Sequence, residues 1–225
     1  MKLATRKPFT KSVTFAIILA NVIVWLLQLF TYPVVDDAFA LTPSEALSGH
    51  FYQFFTYMFL HATYVETAAG VTIYPGHLVI NMFVFAIFGF QLEQSLGTKK
   101  FIVLYILSGM GSAMFYIAAM SLLHGAIGAG LIGASGAVFG VLAAYAFLYP
   151  TSWVYMLGFF PMPAAVMLVF LLVEETFFGL MGLEPGVANF GHVGGVLSGL
   201  IIMAIWKISS REKKTNFENF EFVWE

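Results

Sequence analysis

The amino-acid sequence predicts an all-α polytopic membrane protein: a bundle of six transmembrane helices, with a long, partly embedded loop between the first two. Three observations carry this. Of the 225 residues, 60% are apolar and only 10% are charged, against about 45–50% and about 25% in soluble domains; mean hydropathy is +0.88. The apolar residues gather into six continuous stretches, near the roughly 20 residues that a membrane helix needs. All ten basic residues fall in three places that a six-span chain puts on one side. A net charge of -2 argues against a nucleic-acid partner.

The elements follow in order. Span one runs from Val13 to Phe30, after Lys2, Arg6, Lys7 and Lys11. Its apolar run is too long for a signal peptide, and no small-x-small cleavage site follows, so it reads as a retained span. The loop from Thr31 to Gly76 contains Phe51–Leu60 (FYQFFTYMFL), apolar and aromatic but too short to span. Such a segment lies in the interface or forms a hairpin dipping partway into the outer leaflet, and the partly embedded arrangement is the expected one. Spans two to six run His77–Leu92, Phe101–Leu123, Ser135–Leu148, Pro161–Phe178 and Asn189–Ile208. None alternates polar with apolar residues as a barrel strand does. The whole chain forms one membrane domain, with tails 1–11 and 209–225; Arg211–Glu225 reads as a flexible end.

Charge sets the orientation. The basic residues sit in the N-terminal tail, at Lys99 and Lys100 after span two, and from Lys207 to Lys214 at the end of span six. The first loop holds Asp36, Asp37, Glu45 and Glu66 and no Lys or Arg. The positive-inside rule then places both termini in the cytoplasm. A prokaryotic inner membrane is the expected location.

Ionisable and polar side chains inside spans are costly and so mark function. His77 and Asn81 start span two, Ser135 starts span four, and His192 lies early in span six. All three spans run from outside to inside, so the four side chains share the outer end of the bundle. Span four covers about 21 Å at about 1.5 Å per residue, against about 30 Å of hydrocarbon. Ser135 therefore lies below the outer surface, behind the glycine-rich approach from Gly125 to Gly133.

Gly136-x-x-x-Gly140 and Gly195-x-x-x-Gly199 are small-x-x-x-small faces that let backbones approach. His192, Gly195 and Gly199 share one helix face, as do His77 and Asn81. If the glycine faces meet, His192 reaches Ser135, and His77 and Asn81 can donate to an oxyanion. Each residue also has a bland reading. Ser135 could be a simple N-cap, the glycines could serve packing alone, and Asn81 could merely tie helices. Their common depth is what those readings leave unexplained. Glu174 and Glu175 read as residues near the outer interface, and Glu93 with Gly97 as a cap or turn. The absence of H-E-x-x-H and of Cys, and the confinement of Asp to positions 36 and 37, disfavour metallo-, cysteine and aspartyl chemistry. No metal or cofactor is expected.

Three motifs resemble those of the rhomboid intramembrane serine proteases, and the resemblance covers about residues 12 to 208. Gly133-Ala-Ser135-Gly136-Ala-Val-Phe-Gly140 is similar to the nucleophile motif G-x-S-G-x-x-x-G. Phe190-Gly-His192-Val-Gly194-Gly195-x-x-x-Gly199 is similar to the base motif, and His77-Leu-Val-Ile-Asn81-Met82 to the oxyanion motif. Met58-Phe-Leu-His61-Ala and Glu93…Gly97 also match. The resemblance implies a Ser135–His192 dyad without an acid, an oxyanion site at Asn81 and His77, and an aromatic ring under the base at Phe139. It implies transmembrane protein substrates cut near the outer end of the span. Tyr52-Gln53 stands where an aromatic–Arg pair is usual, removing a possible salt bridge from the first loop, and Glu66–Pro75 looks like an insertion. A catalytically inactive relative that binds client spans and a small transporter are the alternatives.

Overall fold

The computed structural model describes residues 9–68, 70–124, 130–156, 159–183 and 187–215, without the side chains of 124 and 208–215. Expectations for residues 1–8, for 125–129 of the glycine-rich approach and for 216–225 of the tail lie outside the described residues.

Helix α1 (Val13–Thr31) opens on Ser12, whose hydroxyl accepts the Phe15 N–H at 3.1 Å. Its buried side chains are Thr14, Asn21, Trp25 and Gln28, one stripe at helical spacing. Leu19, Ile23, Leu26, Leu27 and Phe30 point outward. The polar side of α1 thus faces protein and its apolar side is left for lipid.

The first loop holds α2 (Val34–Phe39), α3 (Pro43–Leu47) and α4 (Gln53–Thr56), then a 3-10 turn at Tyr57–Phe59. Phe51–Leu60 is therefore a string of short helical turns. Gln53 is fully buried, accepts the Thr42 N–H and donates to Glu45, both at 3.0 Å. A neutral amide thus braces the loop where the resemblance would have an Arg. Strands β1 (Tyr64–Thr67) and β2 (Gly70–Ile73) then pair antiparallel, and most of the Glu66–Pro75 segment belongs to this hairpin.

Helices α5 (Gly76–Leu96) and α6 (Thr98–His124) are joined at Gly97, whose φ of +79° ends α5. Helix α7 (Ser135–Leu148) has 14 residues, nearly all buried from Gly136 to Ala146, and packs against α5, α6 and two later helices. Strands β3 (Trp153–Met156) and β4 (Phe160–Pro163) make a second hairpin, followed by α8 (Ala164–Met181) and α9 (Asn189–Thr215). Helices α1, α5, α6, α8 and α9 are long and apolar enough to cross a membrane; α7 is the shorter apolar helix. At about 1.5 Å per residue α7 is about 21 Å long, shorter than about 30 Å of hydrocarbon, and protein buries nearly all of it.

The helical class stands, with two departures. Span five was expected to begin at Pro161, but 160–163 form β4 and the helix starts at Ala164. Pro161 and Pro163 each push the preceding residue out of the helical region, so Phe160 and Met162 are extended. The last helix also passes Ile208 and continues to Thr215, so 211–215 of the expected flexible tail are helical.

Helices α6, α7 and α9 form the centre. A Cβ on Gly195 would strike the Gly136 carbonyl oxygen, and one on Gly199 the Gly140 carbonyl oxygen. On the other side of α7, a Cβ on Gly136 or Gly140 would strike Ser112 or Ser108 of α6. Small residues on three helices let their backbones meet, and this sets the separation of everything at their ends.

Candidate functional site

The helix bundle has two chemically distinct ends. At one end, Glu93 of α5 accepts the Val13 and Thr14 N–H groups of α1 at 3.0 Å. Near it Lys100 lies 5.4 Å over the Trp206 ring, and Lys207 lies 5.2 Å over Phe147. At the opposite end lie the starts of α5, α7 and α9 and the end of α8. His77, Ser135, His192 and Glu175 belong to that second end.

Ser135 is the first residue of α7. The cap position is Ala134, with no side-chain cap bond. The Ser135 hydroxyl instead lies 2.9 Å from His192 Nε2. The simple N-cap reading therefore does not describe this serine. The glycine contacts explain the reach: Gly136 and Gly195 stack α7 on α9 within one turn of both side chains. The His192 ring lies flat on Phe139, with centroids 4.4 Å apart and planes 9° apart. That stack holds the plane of the imidazole.

His77 approaches from α5. The Ala62 N–H donates to its Nδ1 at 3.2 Å, which leaves the proton of a neutral imidazole on Nε2. Gly133 has a φ of +123°, and a Cβ there would sit 3.0 Å from His77 Nε2 and 3.8 Å from Ser135 Oγ. A side chain at 133 would be strained by its backbone and would fill the gap between His77 and Ser135. Asn81 is buried one turn along α5, and its amide donates to the His77 carbonyl oxygen at 2.9 Å.

His61 is fully buried beside His77, with ring centroids 5.0 Å apart. Its Nε2 faces the Ala134 N–H at 3.4 Å. Burial, with the neighbouring His77, lowers its pKa to about 3. Gln28 of α1 clamps the same residue through both backbone groups, accepting the His61 N–H at 3.0 Å and donating to its carbonyl oxygen at 3.1 Å. In the sequence His61 stands only within the Met58-Phe-Leu-His61-Ala match, and Gln28 belongs to no motif. The signal was present as a polar stripe at helical spacing on an otherwise apolar span.

Glu175 is the larger omission. It read as an interfacial residue, yet its Oε1 lies 2.8 Å from His192 Nδ1 and its Oε2 accepts the Asn189 amide at 2.9 Å. Glu175 shares the depth of His77, Asn81, Ser135 and His192, because it lies toward the end of α8 that meets the start of α9. Among the described residues no cluster of His, Asp or Glu is arranged to hold a metal ion.

Comparison with known proteins gives a consistent picture. A family profile described as the Rhomboid domain matches residues 48–208. The chain is 32% identical over 147 residues to RHOMBOID-like protein 6, mitochondrial, of Arabidopsis thaliana, covering 64% of this chain and 43% of that protein. It is 31% identical over 170 residues to RHOMBOID-like protein 1 of the same plant, covering 75% and 38%. It is 32% identical over 139 residues to Rhomboid protein 1, mitochondrial, of Saccharomyces cerevisiae, covering 61% and 39%. The matched part thus spans about two fifths of these relatives. All three are eukaryotic and two carry mitochondrial names, so the expected prokaryotic inner membrane finds no support in them. The helices identify an integral membrane protein, and the match over most of its length makes this chain a member of the rhomboid family.

Proposed function

We propose that this protein is an intramembrane serine endopeptidase that hydrolyses peptide bonds at or near the outer end of substrate transmembrane segments. The observation that carries this reading is the 2.9 Å contact between Ser135 Oγ and His192 Nε2. A serine hydroxyl facing an imidazole nitrogen in an apolar bundle is an arrangement for nucleophilic catalysis.

The steps follow from the two side chains. Ser135 Oγ attacks the scissile carbonyl carbon as its proton passes to His192 Nε2, forming an O–C bond and a tetrahedral oxyanion. The oxyanion collapses, the C–N bond breaks, and the Nε2 proton goes to the leaving amine. Water then repeats the sequence on the ester and frees Ser135. The oxyanion takes donors from His77 Nε2–H, from Asn81 and from backbone N–H groups at the start of α7, which have no partner within the helix. Every step draws on the chain's own groups, with no metal or cofactor. The partners are transmembrane protein substrates and the lipid bilayer around them, and both termini lie on the cytoplasmic side.

The test uses purified protein in detergent, a membrane-span reporter and a serine-directed fluorophosphonate probe. Wild type is expected to cleave the reporter and to carry the probe on Ser135. Ser135→Ala and His192→Ala are each expected to lose cleavage while remaining folded. Full cleavage by either variant would overturn the assignment.

A further inference from the structure

We infer that Glu175 is a positioning residue for the base, so that a hydrogen-bonded relay of Ser135, His192 and Glu175 stands in place of a two-residue pair. This rests on the protease reading above and adds the group that sets the histidine's proton.

The geometry has two parts. Glu175 Oε1 meets His192 Nδ1 at 2.8 Å while the opposite nitrogen, Nε2, meets Ser135 Oγ at 2.9 Å. The second carboxylate oxygen is held by the Asn189 amide at 2.9 Å. Both side chains of this contact are sheltered, at 13% exposure for His192 and 12% for Glu175. An ionised carboxylate only accepts hydrogen bonds. Opposite such a carboxylate Nδ1 carries the proton, and Nε2 is left with the lone pair that the Ser135 hydroxyl needs.

The Phe139 stack alone does not do this. A ring lying flat on another has its plane fixed, but it remains free to rotate within that plane and to exchange tautomers. Glu175 supplies the two missing constraints. When the Ser135 proton moves to Nε2, the imidazolium keeps its Nδ1–H and the adjacent carboxylate stabilises the new charge. Glu175 neither takes nor releases a proton in the cycle.

The helix that carries Glu175 is brought close by a separate contact. Gly179 lies one turn further on the same face, and a Cβ there would sit 3.2 Å from both Asn189 Cβ and the Phe190 ring. The small residue lets α8 close on the start of α9, so the carboxylate is not what holds the two helices together. An acidic side chain inside an apolar membrane helix is costly, and here its partner is the base itself.

The test has a spectroscopic arm and a kinetic arm. The spectroscopic arm follows wild-type protein with 15N-labelled histidine in detergent by NMR. His192 is expected to be protonated at Nδ1. In Glu175→Gln, Asn189 occupies the amide oxygen and the amide NH2 faces Nδ1, so the proton is expected to move to Nε2. In the kinetic arm, Glu175→Gln is expected to lower kcat by about 10²–10⁴-fold, as a wrong tautomer does, with KM within about twofold of wild type. Glu175→Asp is expected to recover part of that loss.

A wild-type His192 protonated at Nε2 overturns the relay, as does a Glu175→Gln variant with wild-type kcat. In the latter case Ser135-dependent cleavage by the wild type would leave the protease reading intact. If instead the wild type neither cleaves nor labels at Ser135, the protease reading fails, and the wild-type spectrum still decides the relay.

Discussion

His77 and His61 are adjacent rings given opposite tasks by single backbone hydrogen bonds. The Ala62 N–H on His77 Nδ1 leaves its other nitrogen as a donor facing Gly133 and Ser135. In the proposed mechanism that donor serves the oxyanion, so His77→Ala and Asn81→Ala are expected to lower kcat by about 10²–10³-fold. Residual cleavage and slower probe labelling of Ser135 are expected to remain, because the α7 backbone donors are untouched; wild-type rates in both variants would make these residues structural. His61 instead accepts from Ala134 and is buried without charge. Below its ordinary pKa of 6.5 the unfolded chain takes up a proton, while the folded chain refuses it down to about 3. Stability should therefore be intact above that ordinary value and fall as pH drops through the window. Thermal unfolding in detergent at about pH 7 and about pH 4.5 reads this directly. His61→Gln, which keeps an acceptor but does not titrate, is expected to lose less on acidification than wild type.

Packing of α7 between α6 and α9 turns single glycines into determinants of geometry. A Cβ on Gly195 has no space, because the obstacle is the Gly136 carbonyl on a rigid backbone. Gly195→Ala is expected to cost about 1–3 kcal/mol by overpacking. Cleavage should fall as well, because α9 carries His192 away from Ser135; unchanged stability with full cleavage would show that the two helices are free to adjust. Glu93 works at the other end of the bundle. Its carboxylate caps α1 through two backbone N–H groups and also accepts the Thr14 and Thr98 hydroxyls at 2.8 and 3.0 Å. A carboxylate at a helix N-terminus also meets the favourable end of the helix dipole. Glu93→Ala strands buried donors and is expected to destabilise the protein by about 1–3 kcal/mol, with KM unchanged for the protein that remains folded. Denaturant unfolding beside steady-state kinetics checks both parts.

Across the molecule, Lys100 and Lys207 sit at the end opposite the chemistry. Lys100, Lys207 and the Glu93-capped start of α1 mark one end, and Ser135, His192 and Glu175 mark the other. The positive-inside rule predicts the basic end in the cytoplasm, so reporter fusions at the C-terminus and within the Thr31–Gly76 loop are expected to report opposite sides of the membrane. Fusions reporting the same side would break the topology and, with it, the claim that substrates are cut near the outer end of their spans.

What the sequence determined by itself was whatever a single helix can encode. Hydropathy marked the helices, because a lipid-facing segment must be apolar along its whole length. Spacing of three and four residues put His192 with Gly195 and Gly199, and His77 with Asn81, because one helix repeats its faces at that interval. The first span's inward stripe of Thr14, Asn21, Trp25 and Gln28 was legible in the same way but was hidden by the overall apolarity of the segment. The β4 strand was written in Pro161 and Pro163 and masked by the apolar residues around them. Only the tertiary structure decided which side chains from different helices meet. No periodicity relates Glu175 to His192 across the turn between α8 and α9, or Gln28 to His61 across 33 residues. Those contacts depend on how closely neighbouring backbones approach. Between α7 and α9 and between α8 and α9 that distance is set by glycines, whose spacing the sequence shows but whose partners it does not.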